Sequence, residues 1–487
     1  MPRPWAGSWK GAPALPETIQ AYIEAVEEQI RWRRARGVVS LELRRHLEDQ
    51  RDAFAAEDRE DAERLAVEEM GDPVSVGTEL DRLHRPRPQW GLLGLTIALA
   101  CVGAFLRVWL TRNEDFDAVS PVMTVLALVL GTAALLGVYF LDFTSLARHA
   151  RGIYAGALAA GLLSWWLLPN VNLVAYYTRY IILLYPVVYA LWLYSCRGST
   201  WRHFVLAVAG GIPLAVICLL APFMFGLLIL LVSGLVLLLC AIRMGWFGPG
   251  RWKFAGTALA LAAGIPALFL GLGYGEGVAI RVRLALHPEL DPLGGGYWGW
   301  MAKMCMQNVP FIRRDGHDSF GIASIGRVYG GLFRGEQSYV EFSMDKEFLP
   351  LKLLMRWGWL AYFLLMAAIA ALLVWLLVRC LRQRQQLGRL TALAVVLSLG
   401  LETLFSAALN LGFVLFSSHL PLVVGNLHTV LDMALIGLAL SVFRGSSVLR
   451  DELPEKKQRF AFPWRVKVLI VSTKEEQDFV SFSKLGK

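Results

Sequence analysis

Charge is what this sequence has least of. Asp, Glu, Lys and Arg make up 18% of its 487 residues, against 56% apolar residues. With a positive mean hydropathy, that balance excludes a soluble multidomain protein. Cysteine is scarce as well: the six (Cys101, Cys196, Cys218, Cys240, Cys305, Cys380) form no CxxC pair, which argues against a metal site, a disulfide framework or cysteine chemistry. An early apolar core is missing too. Residues 1 to 88 are of mixed charge, so no cleavable secretory signal is read and the amino terminus is expected to stay in the cytoplasm. The net charge of +9 reflects, in so apolar a chain, Lys and Arg in cytoplasmic loops, and nucleic acid is set aside as a partner. No internal repeat is evident.

What the chain does have is long apolar runs. Ten segments of roughly twenty residues, the length that spans a bilayer, follow one another: Trp90 to Leu110, Pro121 to Leu141, Gly152 to Leu168, Ala175 to Tyr194, Phe204 to Leu220, Phe223 to Ile242, Phe254 to Leu272, Leu353 to Val378, Leu390 to Phe416, and Pro421 to Phe443. Basic loops at 147–151, 197–202, 243–253 and 379–389 alternate with Asn113-Glu114-Asp115-Phe116-Asp117, a short Pro169-Asn170 link and Ser417-Ser418-His419. This is the positive-inside pattern, and it places both termini in the cytoplasm.

Between the seventh and eighth segments, residues 273–352 carry too many charges for a bilayer core and must lie outside it, on the outer face. Runs such as Gly294-Gly295-Gly296-Tyr297-Trp298 make this loop richer in aromatics than a disordered connector, and predict that it folds back on its helices and carries function. Ahead of the membrane part, apolar residues at helical spacing (Ile19, Tyr22, Ile23, Val26, Ile30; Leu41, Leu43, Leu47) predict a small helical domain. It breaks at Asp72-Pro73, resumes as a short helix from Val74 to Leu83, and reaches the first span through the stiff tether His84-Arg85-Pro86-Arg87-Pro88. The expected fold is thus an all-α integral membrane protein: a cytoplasmic helical domain and tether (1–88), a membrane domain (89–443) with its outer loop (273–352), and a cytoplasmic tail (444–487).

Inside the spans, Arg107, Arg179, Glu402 and Asn410 stand out. Arg107 lies near a helix end, where its side chain can snorkel. The other three either line a polar cavity or pair between helices.

Two resemblances are carried by local strings. Leu43-Arg44-Arg45-His46-Leu47-Glu48-Asp49, then Glu68-Glu69-Met70-Gly71-Asp72-Pro73-Val74 and His84-Arg85-Pro86, resemble the permease prefix domain that precedes several unrelated membrane proteins. The membrane part resembles the SEDS family (FtsW/RodA/SpoVE), membrane glycosyltransferases that polymerise lipid II into peptidoglycan. The strings are Arg283-Leu284 leading into His287-Pro288-Glu289-Leu290-Asp291-Pro292 and Gly294-Gly295-Gly296-Tyr297, then Phe348-Leu349-Pro350-Leu351-Lys352 after the family's TDFI position, with Leu141-Asp142-Phe143-Thr144, Leu420-Pro421-Leu422-Val423 and Asp432-Met433-Ala434 elsewhere.

Aligned on Phe348, the family's catalytic aspartate falls on Glu347, with Asp345 two residues earlier. The resemblance implies that Glu347, or Asp345 after a local shift, is a general base that takes the proton of an acceptor hydroxyl. It implies that Arg281, Arg283 and Lys303 meet the pyrophosphate of a lipid-linked glycan precursor. The family's PDxG turn appears as Pro222-Phe223-Met224-Phe225-Gly226 without its acid, and its SYGGSS segment as Val424-Gly425-Asn426-Leu427-His428-Thr429. Asn426, His428 and Thr429, with Asn410, keep polarity there and are expected to bind substrate. A class B penicillin-binding protein is the implied partner, in cell shape, division or sporulation. No cofactor is expected, although a divalent cation on the pyrophosphate is compatible with the chemistry. Two alternatives stand beside the enzyme: a non-catalytic SEDS-fold scaffold for a cell-wall synthase and, with less support, a lipid flippase or transporter.

Overall fold

Four helices between residues 18 and 84 show how closely local sequence dictates the start of the chain. Helix α1 (Ile19–Gln29) is capped by Thr18, whose hydroxyl accepts from the amide of Ala21 at 3.3 Å. Its Ile19, Tyr22, Ile23 and Val26 recur every three or four residues and are buried against Ala35, Val39, Leu43 and Leu47 of α2 (Arg33–Ala56) and Ala66 and Val67 of α3 (Ala62–Met70). The Met-Gly-Asp-Pro turn then has a physical reading. Gly71 takes φ 84° to end α3, and the Asp72 carboxylate accepts from Ser75 N at 3.0 Å. Pro73 opens α4 (Pro73–His84), where its missing N–H costs nothing. Long-range caps tie the unit together: Ile19 N to Glu63 Oε1 and Arg31 N to Asp81 Oδ1, both 2.9 Å.

The computed structural model describes residues 18–84 apart from 58 and 60, 88–110, 120–168 apart from 142, 175, 177–307 apart from 270, 272 and 274, 309–313, 346–423 apart from 384, and 426–445. The described residues are helical with no strand. The membrane part runs α5 (Trp90–Leu110), α6 (Pro121–Phe140), α7 (Phe143–Arg148), α8 (Ala150–Leu167), α9 (Thr178–Ile182), α10 (Tyr185–Ser195), α11 (Trp201–Ala209), α12 (Gly211–Leu220), α13 (Met224–Arg243), α14 (Arg251–Phe269), α15 (Gly275–Leu286), α16 (Tyr297–Met306), α17 (Leu349–Trp357), α18 (Trp359–Leu381), α19 (Gln386–Asn410) and α20 (Leu427–Arg444).

Seven spans among the described residues are long and apolar enough to cross a bilayer unaided: α5, α6, α11 with α12, α13, α18, α19 and α20. The other three expected spans fall on α8, on the pair α9–α10 and on α14. The chain is therefore a multi-pass, all-α membrane protein. Helices α10, α13, α19 and α20 form the interior, with Tyr185, Leu191, Leu193, Leu237, Leu399 and Ala439 nearly inaccessible. The most extensive pairing is between α6 and α20. Close approach is enforced there by glycine: a Cβ on Gly131 would lie 2.6 Å from the Met433 sulfur, and one on Gly437 would lie 2.6 Å from Leu135 O.

Three boundaries differ from the sequence reading. The eighth segment, expected from Leu353, is cut at Gly358, which takes φ 89°. Residues 310–313 dock into the break: Leu360 N donates to Phe311 O at 3.0 Å and Arg313 N to Trp357 O at 3.2 Å. A Cβ on Gly358 would stand 2.5 Å from Pro310 O. Helix α19 stops at Asn410 instead of running to Phe416, because Gly412 enters the left-handed region (φ 86°) and Phe413 N closes back on Ala408 O at 2.9 Å. The last helix starts at Leu427 instead of Pro421, after Leu422 at φ 68° and the Asn426 cap. The described part of the loop between spans folds back on its helices. Met301, Ala302 and Cys305 of α16 are buried with Phe348, Leu351, Leu354, Tyr362 and Leu409.

Candidate functional site

The carboxylate of Glu347 sits in a short 3-10 turn, Lys346–Phe348, immediately before α17. Two features fix that turn. Phe348 is buried and stacks on Trp298 of α16, ring centroids 5.5 Å apart and 25° between planes. Behind it, Asn410 at the end of α19 is buried and spends its whole amide on the backbone. Its Oδ1 accepts from Leu351 N at 2.9 Å, and its Nδ2 donates to Glu347 O at 3.0 Å and to Ser406 O at 2.8 Å. Leu351 N is one of the first-turn amides of α17 that the helix cannot satisfy itself. One side chain thus holds both the start of α17 and the main chain that carries Glu347.

The carboxylate itself is left to face the connection between α19 and α20. The Ser417 hydroxyl donates to Glu347 Oε1, and His419 Nε2 lies 3.9 Å from the same oxygen. His419 is stacked on His428, centroids 4.2 Å apart and 28° between planes, and Tyr180 of α9 packs against His428 at 4.8 Å. Asn426 accepts from His428 N at 2.9 Å, which caps α20 and sets the orientation of its first turn. Thr429 follows, buried. The connection is anchored by Ser418, which donates to Glu402 O at 3.0 Å, and by Leu422 N, which donates to Asp432 Oδ2 at 3.0 Å.

The structure therefore brings together Glu347, Asn410, Asn426, His428 and Thr429. Lys303 is adjacent: its stem passes over Gly412, its Nζ donates to Leu286 O at 3.0 Å, and it lies 5.3 Å from the Phe413 ring centroid. Arg281 and Arg283 are not in the group. They lie exposed on α15 and make no hydrogen bond or ion pair with it among the described residues. Asp345 lies outside the described residues. Of the charges inside spans, Arg179 places its guanidinium 5.3 Å from the Phe223 ring centroid, next to Tyr180. Glu402 is buried between α19 and α20 within electrostatic reach of Asp432. Arg107 is buried at 6% exposure, where a snorkelling arginine would be open to solvent. Burial pushes the Cys305 thiol up to about 12, so this loop cysteine offers no thiolate near neutral pH. Among the described residues no three His, Cys, Asp or Glu side chains converge as a metal ion requires.

Sequence reasoning missed Ser417, His419, Tyr180 and Trp298. The first two were read only as a link between spans. A signal was there in retrospect, since Ser-Ser-His is an unusually polar string beside apolar segments.

No known family model matches the chain, and no curated protein does. Solved structures are similar in fold. A chain of a structure described as "Structural coordination of polymerization and crosslinking by a peptidoglycan synthase complex" has a TM-score of 0.53 and 19% identity, over 73% of this chain and 98% of that one. The rod shape determining protein RodA of Thermus thermophilus has a TM-score of 0.47 and 16% identity, over 74% of this chain and 97% of that one. The arrangement is that of a multi-pass helical membrane protein with its polar site at the loop end of the bundle. Its fold is that of the chain matched in the peptidoglycan synthase complex, and the sequence strings resemble the SEDS family.

Proposed function

We propose that this protein is a SEDS-type glycosyltransferase that binds lipid II on the outer face of the cell membrane and polymerises it, with Glu347 as general base. The observation that supports this reading is the placement of Glu347. It is a half-buried carboxylate at the loop end of the bundle, with its main chain fixed by Asn410 and one oxygen held by Ser417, at the position aligned with the family's catalytic aspartate. The base takes the proton of an acceptor sugar hydroxyl as that oxygen bonds to the donor's anomeric carbon. The carbon–oxygen bond to the lipid pyrophosphate breaks with its electron pair going to the pyrophosphate. Both termini lie in the cytoplasm in this reading. A class B penicillin-binding protein is the proposed partner, in keeping with the synthase complex that supplies a chain of similar fold.

The deciding experiment is polymerisation of labelled lipid II by purified protein, with and without the partner. Glu347→Gln keeps the shape of the side chain but accepts no proton, and lowers turnover by about 10²- to 10⁴-fold. Glu347→Asp retains activity, and Asp345→Asn changes it little. Equal activity of wild type and Glu347→Gln would remove Glu347 from the chemistry. One observation favours a second reading, the non-catalytic scaffold: Arg281 and Arg283, the expected pyrophosphate ligands, stand apart from Glu347. A wild-type protein that yields no glycan polymer even with its partner would establish that reading.

A further inference from the structure

A base that has taken a proton must lose it before the next turnover, and a second acid–base group beside Glu347 can take that proton faster than dilute hydroxide or water in the solvent. The Glu347 main chain is tied to Asn410, and its Oε1 already receives the one proton that the Ser417 hydroxyl can donate. Beside that oxygen stands His419, whose Nε2 lies 3.9 Å away. Imidazole is the side chain whose proton exchange falls near neutral pH. The ring is 20% exposed and thus also touches solvent.

Its attitude is not accidental. His419 lies flat on His428, His428 is set by the Asn426 cap and by Tyr180 behind it, and Ser418 ties the preceding residue to Glu402 O. Titratable groups that face His419 include Glu347 from the 3-10 turn and His428 from α20, with Tyr180 of α9 beyond His428.

We propose that His419 is a positioning residue that acts through Glu347: it receives on Nε2 the proton that Glu347 has taken from the attacking hydroxyl, and releases it to solvent. The inference rests on the reading of Glu347 as base. The proton balance is closed: hydroxyl to carboxylate, carboxylate to neutral imidazole, imidazolium to water, with no redox step. A separation of 3.9 Å exceeds a hydrogen bond by a side-chain adjustment of the kind that substrate binding supplies.

Two measurements on the full-length protein in detergent test it. The first is the pH dependence of lipid II polymerisation. Wild-type turnover falls on the acid side as His419 takes up a proton and ceases to be an acceptor. His419→Gln loses that limb, lowers kcat by about ten- to a hundredfold, within what proton-transfer assistance provides, leaves KM unchanged, and is partly rescued by added imidazole. A His419→Gln profile parallel to wild type, or unrescued loss of kcat and KM together, would overturn the relay while leaving Glu347 as base. The second needs no turnover. In protein carrying ring-labelled histidine, the signal that His419→Gln removes is followed against pH, and Glu347→Gln moves its midpoint downward because the imidazolium loses a neighbouring anion. A midpoint that Glu347→Gln leaves unmoved would overturn the proposal, even for a protein that polymerises nothing.

Discussion

Asn410 holds Glu347 by its main chain and not by its carboxylate: the buried amide donates to the Glu347 carbonyl at 3.0 Å while accepting from Leu351 N at 2.9 Å. The acid is thereby fixed in place while its charge stays open to other partners. Asn410→Ala removes these bonds and the one to Ser406 O, and strands buried backbone groups. It should lower stability by about 1 to 3 kcal/mol and reduce turnover with wild-type Ser417 and His419 still present. Thermal unfolding in detergent and the polymerisation assay check this; an unchanged unfolding temperature would show that the amide is dispensable.

Tyr22 is the largest fully buried side chain of the amino-terminal unit, and its hydroxyl has no hydrogen-bond partner among the described residues. Burial first, and the Asp72 carboxylate second, push its phenol up to about 12 from 10.0. The folded state thus disfavours the phenolate. The stability that the neutral phenol supports is complete below pH 10 and is lost as pH rises toward 12. Tyr22→Phe should raise stability at neutral pH by about 1 kcal/mol, and should remove that alkaline loss. Unfolding monitored by circular dichroism across this range gives the answer, and a destabilised Phe variant would contradict it.

Leu422 is a non-glycine residue in the left-handed region, and its amide is held by Asp432 Oδ2 at 3.0 Å. That conformation persists because the carboxylate fixes it. Asp432→Asn keeps an acceptor of the same shape and should preserve the fold. Asp432→Leu leaves the Leu422 amide unpaired in a buried setting and should cost about 1 to 3 kcal/mol. Comparable unfolding temperatures for the two variants would count against the anchor.

Loop charge predicts that a reporter fused after Lys487 is cytoplasmic and one inserted at Gly316 is external, both positions lying outside the described residues. Both reporters on one side would rule out the ten-span arrangement, which puts three spans between the two positions.

Helices were legible wherever apolar composition alone decides, as in Trp90–Leu110 or Met224–Arg243. They were misread where a single backbone conformation ends a helix inside an apolar run. Gly358, Gly412 and Leu422 carry no hydropathy signal, and each depends on a partner far away in sequence, such as Pro310 for Gly358 or Asp432 for Leu422. The site shows the same division. Glu347, Asn410, Asn426 and His428 could be picked out as polar residues at motif positions. That Ser417 and His419 would meet Glu347 across 70 residues of chain depends on α19 stopping early, which no local pattern states. Guanidinium chemistry suits Arg281 and Arg283 to a pyrophosphate, but composition says nothing of which way α15 turns.

Helix α20 lies along α6, with Ser441 donating to Leu141 O at 2.5 Å and Arg444 Nη2 to Phe140 O at 3.2 Å. Those partners are 300 and 304 residues apart. During synthesis, α6 is therefore made 300 residues before the helix that packs against its Gly131. The last described helix is the one that closes the bundle, and it also brings Asn426 and His428 to the site. A ribosome that stops before residue 427 leaves a chain with neither the seam closed nor the candidate site complete, so the seam and the candidate site are completed by the same final stretch of translation.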